Sequence, residues 1–107
     1  MIITTSHSVP GHEVTEILGI VRGNTVRARH VGSDILAGLK NIVGGEISEY
    51  TKLMAESREQ SVDRMIARAD ELGADAVIAV RMMTSEVMQK AAEILVYGTA
   101  VRLRRTD

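Results

Sequence analysis

Hydrophobic and polar positions between Gly45 and Met83 predict one long helix that leads directly into a buried strand. From Glu46 to Leu72 the apolar residues recur at steps of three and four, which is the spacing of one helix face. Gly73 follows as a stop signal, because glycine readily adopts the left-handed conformation that ends helices. The apolar face consists of Ile47, Tyr50, Met54, Val62, Met65, Ile66, Ala69 and Leu72.

The predicted helix is long for its chain. At about 1.5 Å per residue it spans about 40 Å, whereas a compact sphere formed by a chain of this size measures roughly 33 Å across. Either the helix kinks near Ser57–Ser61, where polar residues interrupt the apolar face, or part of it packs on another subunit. We favour the second interpretation. A polar patch in an apolar face fixes a packing register or lines a small pocket, and the candidate interface or pocket residues are Tyr50, Ser57, Arg58 and Ser61.

Short apolar runs predict strands elsewhere in the chain. Met1–Thr5 has the β-branched character of a short edge strand. Val14–Arg22 is a second strand, and from Ile17 to Val21 it is apolar on both faces apart from Gly19, which is typical of a strand covered on two sides. Gly23-Asn24 is a turn or bulge signal, after which Thr25–Arg29 alternates again. These residues therefore predict either a hairpin or a single bent strand. A short helix is predicted from Ser33 to Val43.

Two further strands close the predicted sheet. Ala76–Met83 is apolar on both faces with Arg81 as its only charge, and Glu93–Arg104 also carries two apolar rows. The turn between them is predicted at Gln89–Ala92. One helix layer covers only one face of a sheet, so apolar residues on both faces predict a symmetric oligomer whose sheets meet.

These elements define an α+β fold in a single domain, residues 1–107. We expect an antiparallel sheet of about four strands packed against one long helix plus one short helix.

Composition narrows the classes of function. The formal net charge is −1 and aromatic residues make up 2% of the chain, which disfavours nucleic acid and ligands that need stacking rings. The absence of cysteine excludes disulfides and thiolate chemistry and fits a cytoplasmic protein. We expect no signal peptide and no membrane span.

Histidine and methionine are the candidate metal ligands. Imidazole and carboxylate groups suit zinc or another divalent ion, and a site shared between subunits is the form we consider for the histidines. Scattered surface histidines are the alternative, because their spacing matches neither a helix nor a strand. Methionine thioethers favour Cu(I), although filling apolar gaps is their commoner role. The residues are His7, His12 and His30, and Met82, Met83 and Met88.

Three arginines in one strand region and three at the C-terminus would form a basic stripe if those strands pair, and in a ring the stripe could attract an anion or a polynucleotide. Solvated arginines paired with the acidic residues are the alternative. The arginines are Arg22, Arg27, Arg29, Arg102, Arg104 and Arg105.

No nucleophile–base pair or carboxylate couple is present, so we do not expect an enzyme, and no cofactor is indicated.

Four segments resemble the YbjQ family of small, uncharacterised prokaryotic proteins: DILAGLKNIVGGE (Asp34–Glu46), EYTKLMAESRE (Glu49–Glu59), ELGADAVIAVR (Glu71–Arg81) and EILVYGTAV (Glu93–Val101). The resemblance implies a dodecin-like two-layer subunit assembled with itself into a ring, a pentamer or a decamer made of two pentamers. It also implies the family's heavy-metal-binding label, for which no motif carries over residue by residue.

Overall fold

The computed structural model describes residues 1–28, 48–88 and 91–106. Its strands form one four-stranded sheet in the order β1-β3-β4-β2, and α1 packs on one face of that sheet. The α+β class is therefore confirmed. The predicted short helix from Ser33 to Val43 lies outside the described residues. The elements are β1 (Ile2–Ile3), β2 (His12–Ala28), α1 (Ser48–Glu71), β3 (Ala76–Met88) and β4 (Ala91–Arg105).

The sheet is mixed, so the prediction of an antiparallel sheet is wrong in one respect. β4 pairs antiparallel with both β2 and β3, whereas β1 pairs parallel with β3 through Ile2↔Ala76 and Ile3↔Val77. β1 lies at the sheet edge, as predicted. Its direction depends on a connection that crosses from one edge of the sheet to the other, and an apolar run carries no signal for that.

Residues 12–28 form one continuous strand. Of the two alternatives that the sequence left open, the single strand is therefore correct and the hairpin is not. The register shifts lie between Val14 and Glu16 and between Ile17 and Gly19. The pairing continues without a shift through Gly23-Asn24. Gly23 instead faces α1, where an added Cβ would collide with the Ser61 carbonyl oxygen and the Met65 amide nitrogen. The glycine therefore permits close packing between helix and strand.

The β3–β4 hairpin is longer than predicted. β3 continues to Met88 and β4 begins at Ala91, so Ala91 and Ala92 belong to a strand and not to the predicted Gln89–Ala92 turn. Residues 89 and 90 lie outside the described residues. β3 also contains an irregularity between Ile78 and Arg81, where Ala79 has a φ of 54°.

α1 runs without interruption through Ser57–Ser61 and ends as the sequence predicts. Gly73 has a φ of 76°, the Gly73 amide donates to the Asp70 carbonyl at 3.0 Å, and the Ala74 amide donates to the Ala69 carbonyl at 3.0 Å. This pair of bonds is a Schellman motif, which satisfies the last helical carbonyls. The link to β3 is therefore short and fixed.

The core lies between α1 and the sheet face formed by alternate residues of β2 and β4. Partners such as Val21↔Gly98 and Gly23↔Val96 place these rows on one face. α1 packs most extensively against β2, less against β4 and least against β3. The buried core residues are Val21, Met65, Ala69, Val77, Val80, Val96 and Ala100.

The molecule is elongated, with principal extents of 60 × 23 × 16 Å and a Cα radius of gyration of 17.9 Å. A compact chain of this length has a radius of gyration of about 13 Å. The predicted overhang of α1 presupposes a compact sphere, whereas the three long strands β2, β3 and β4, at about 3.3 Å per residue, are each longer than the helix at about 1.5 Å per residue.

Candidate functional site

The most unusual feature is the second half of β3, Arg81–Met88, which we call the arm. Every residue of the arm is exposed, whereas Ala76, Val77 and Val80 in the first half are buried. The prediction that this strand is buried on both sides near its start is thus confirmed at Ala76 and Val77, whose side chains lie on opposite faces. The apolar side chains of the arm are exposed by 46% at Met82, 51% at Met83, 50% at Val87 and 66% at Met88.

The sheet face opposite α1, which we call the open face, is also rich in exposed apolar groups. Arg22 pairs with Tyr97, and Tyr97 pairs with Arg81, so these three residues form a row across β2, β4 and β3. Ile20 and Val26 occupy the same face of β2 on either side of Arg22 and are 79% and 57% exposed. Tyr97, the β4 member of this row, therefore faces outward instead of into a core of the same chain.

The serines that interrupt the helical apolar face are buried beneath the strands of the same chain. Ser57 and Ser61 are fully buried, and the exposed fraction of Thr25 in β2 is 3%. The Ser61 hydroxyl lies 2.9 Å from Thr25 Oγ1, 2.9 Å from the Ser57 carbonyl and 3.2 Å from the Ile94 carbonyl. The Ser57 hydroxyl donates to the Leu53 carbonyl at 2.8 Å.

This polar cluster fixes how α1 sits on β2. Among the described residues no buried side-chain polar atom lacks a partner, so the cluster offers no free group to a ligand. The suggestion that Ser57 and Ser61 face a neighbouring subunit conflicts with their burial, whereas register-setting agrees with it. Arg58 is exposed. Tyr50 lies in the first turn of α1, and its side chain falls outside the described part of the chain.

The predicted histidine site is not assembled in the described part of the chain. His7 is exposed, and the His12 ring nitrogen Nδ1 lies 3.1 Å from the Pro10 carbonyl oxygen. His12 pairs across the sheet with Arg105, and a cation beside it disfavours a metal ion. Across residues 1–28, 48–88 and 91–106, no group of three or more His, Asp or Glu side chains could hold a metal. His30 lies outside those ranges.

The methionines do not converge either. Met82 pairs with Val96 on the helix side of the sheet, and Met83 pairs with Leu95 on the open face. Their thioethers therefore point to opposite faces. Each is about half exposed in the single chain, and their role in filling apolar gaps stays a prediction.

The arginines do not form the predicted stripe. Antiparallel pairing places Arg22 opposite Tyr97 and Arg27 opposite Ala92, far along the sheet from the C-terminal arginines. Arg104 forms an ion pair with Glu13, and Arg102 lies 3.5 Å from Glu16. The C-terminal group is thus largely neutralised by β2. Arg29 lies outside the described residues.

Two features of the site were missed in the sequence. Thr25 was assigned only to a strand, although the odd positions Val21, Gly23 and Thr25 form the small-residue face that α1 covers. Ile20 was taken as covered on both sides because it lies in an apolar run. Hydrophobicity predicts that such a residue becomes buried, and it does not say whether the same chain buries it.

No helix in the described ranges combines the length and the apolar character that crossing a bilayer requires.

The fold defines a small α+β subunit with one helix on one face of a mixed four-stranded sheet, and comparison with known proteins supplies its family. Residues 1–104 match the YbjQ family model, described as "putative heavy-metal-binding". The chain therefore belongs to the YbjQ family, whose close homologues are named UPF0145 proteins.

Relatives from both archaea and bacteria match over almost the whole chain. A UPF0145 protein of Archaeoglobus fulgidus is 64% identical over 97% of this chain and 96% of its own length. A UPF0145 protein of Psychromonas ingrahamii is 50% identical over 98% of this chain and 100% of its own length. Neither name is that of an enzyme.

A solved structure shares the fold. A DUF74-family protein of unknown function from Pediococcus pentosaceus superimposes with a TM-score of 0.59 at 18% identity, covering 97% of this chain and 98% of its own. At this identity the likeness concerns the fold alone.

Proposed function

We propose that this protein is a ring-forming, homo-oligomeric scaffold or binding protein, with a pentamer or decamer as the assembled state. One observation carries the proposal: the arm and the open face are exposed in the single chain although each carries several large apolar side chains. Soluble monomers rarely expose large contiguous apolar patches. A second copy of the same chain is always available to cover them.

The shape of the chain supports the same conclusion. Eight consecutive strand residues, Arg81–Met88, are exposed in β3, and among the described residues only β4 pairs with them. α1 contacts β3 least of the three long strands. The exposed β3 side of the sheet therefore supports packing against a further copy.

The test is the mass of the protein at micromolar concentration, measured by light scattering and native mass spectrometry. We expect a single multimeric mass. Ile20→Glu should lower that mass, because Ile20 is 79% exposed in one chain and its replacement leaves the core intact. Ala67→Glu on the exposed side of α1 is the matched control and should keep the multimer. A monomeric wild-type protein would refute the proposal.

Metal binding is the alternative function, and it rests on the family description. The described residues do not gather a set of ligands, so any such site would combine residues of several copies or of the remaining segments. The same native spectrum reports bound metal. If elemental analysis finds stoichiometric metal that disappears in a His7→Ala, His12→Ala, His30→Ala triple variant, metal binding by these histidines is supported.

The proposal includes the cytoplasm as the compartment of the assembly. Fractionation of cells that express the protein at its native level would test this.

A further inference from the structure

Among residues 1–28, 48–88 and 91–106 the sheet has two long open edges. β2 is the last strand in the order β1-β3-β4-β2, and within these ranges it pairs only with β4. At the other side, β1 pairs with β3 only at Ala76 and Val77. Three more backbone bonds extend this contact, from Thr4 to Val77, from Ala79 to Ser6 and from Val80 to Thr4. Beyond Val80 no described residue pairs with the outer edge of the arm.

Open strand edges of this length attract other strands, because their amides and carbonyls lack partners. Proteins that remain monomeric usually protect such edges with charged residues, above all lysine, with proline, with β-bulges or by keeping the strand short. Neither β2 nor the arm contains a lysine or a proline, and the register shifts of β2 lie before Gly19, which leaves its second half regular. Both instead carry exposed apolar side chains, including Ile17, Ile20 and Val26 on β2 and Met83 and Val87 on the arm.

Among assemblies built on a single kind of contact, only one way of pairing these edges uses both in every copy. If β2 paired with β2 of a second copy, both arms would remain bare, and if arm paired with arm, both β2 edges would remain open. Pairing the arm of one copy with β2 of the next is a head-to-tail contact, and repeated head-to-tail contacts close into a ring when the rotation allows it.

We propose that the ring closes by strand addition, in which the outer edge of the arm pairs with the outer edge of β2 in the next copy. This inference rests on the proposed oligomer and specifies its interface. It extends each four-stranded sheet across the subunit boundary, and it covers the arm with the one strand of the neighbour whose outer edge is open along its length.

The absence of cysteine from the chain makes the interface directly testable by cross-linking. Four double variants would combine one cysteine on β2, at Ile20 or Val26, with one on the arm, at Met83 or Val87. A bismaleimide of about 8 Å reach matches diagonal neighbours on adjacent strands. Within one chain, β4 separates the two positions, and a cross-link inside a chain adds no mass. The four single-cysteine variants are the controls.

We expect at least one double variant to give a denaturation-resistant ladder that ends at the ring size, with each single variant remaining at the mass of one chain. Circular dichroism would show that every variant is folded. Strong dimers from a single variant would overturn the inference in favour of a two-fold contact. An intact multimer without a ladder in any double variant would also overturn it, while leaving the proposed oligomer standing. A monomeric mass before cross-linking would overturn both.

Discussion

Two regions of the same sheet differ in burial: the region beneath α1 is buried within the single chain, whereas the arm is exposed. Around Val96 and Ala100, β2 and β4 lie beneath α1, and the side chains between them are fully buried. In the arm, β3 continues the hairpin with similar apolar residues, yet all of them are exposed. The difference lies in the position of the helix, because α1 lies over β2 and β4 and barely reaches β3.

Hydrophobic residues in the two regions therefore have different roles. Beneath α1 they stabilise the fold of one chain, whereas in the arm they are available to another chain. Replacing comparable residues in the two regions should therefore affect two different quantities, the free energy of unfolding and the mass of the assembly.

Methionine tests the comparison most strongly, since Met65 is fully buried beneath the sheet and Met83 is 51% exposed in the arm. We expect Met65→Ala to lower the free energy of unfolding by about 3 kcal/mol through lost burial and a residual cavity. Met83→Ala should change it by less than about 0.5 kcal/mol in the dissociated chain and should weaken the assembly. Urea denaturation and light scattering measure the two effects. Equal losses of unfolding free energy in both variants would show that the arm methionine stabilises the single chain as much as the core methionine does.

Gly23→Ala tests the closeness of α1 to β2. The added Cβ meets helix backbone at Ser61 and Met65, and backbone cannot move aside as a flexible side chain does. We expect a loss of about 2 kcal/mol in the free energy of unfolding. Asn24→Ala, one position along and exposed, is the control. A Gly23→Ala variant as stable as the control would contradict the observed helix position.

Ser61→Ala sharpens the role of the polar cluster. The change removes a buried hydroxyl that contacts Thr25 Oγ1 and the Ile94 carbonyl, so we expect a loss of about 1–2 kcal/mol. Ser85→Ala in the exposed arm should be nearly neutral by urea denaturation. If Ser61→Ala instead dissociated the assembly without changing the stability of the chain, the serine would belong to a subunit interface.

The ion pair of Glu16 and Arg102 should contribute least. The two side chains are 58% and 51% exposed, and exposed pairs contribute well under 1 kcal/mol because water screens them. A double-mutant cycle with Glu16→Gln and Arg102→Gln should give a coupling of about 0.3 kcal/mol that falls further with added salt. A coupling several times larger would indicate that this edge is buried in the assembly.

The sequence predicted what depends on local periodicity and failed where distant contacts decide. The helix, its stop at Gly73 and the edge position of β1 follow from residue spacing and backbone preference, and all are confirmed. The parallel pairing of β1 and the extension of β3 to Met88 depend on contacts between distant segments. Apolar alternation predicts strands but not their partners.

The candidate site was predictable only in part, for the same reason. Apolar residues on both faces of the strands predicted a symmetric oligomer, which stays a prediction, and the structure shows exposed apolar side chains on the open face and the arm. The polar interruption at Ser57 and Ser61 was matched to a neighbouring subunit, whereas the structure places both serines against Thr25 of the same chain. A threonine within a strand gives no local sign that it faces a helical serine.

Hydrogen–deuterium exchange at rising protein concentration tests most directly whether a second copy covers the arm. The amides of Val96 and Ala100 should be protected at every concentration, because they lie beneath α1 in a single chain. The amides of Arg81–Met88 that point away from β4 should gain protection as the protein assembles, in step with the mass measured by light scattering. Fast exchange of these amides in a fully assembled sample would contradict the account.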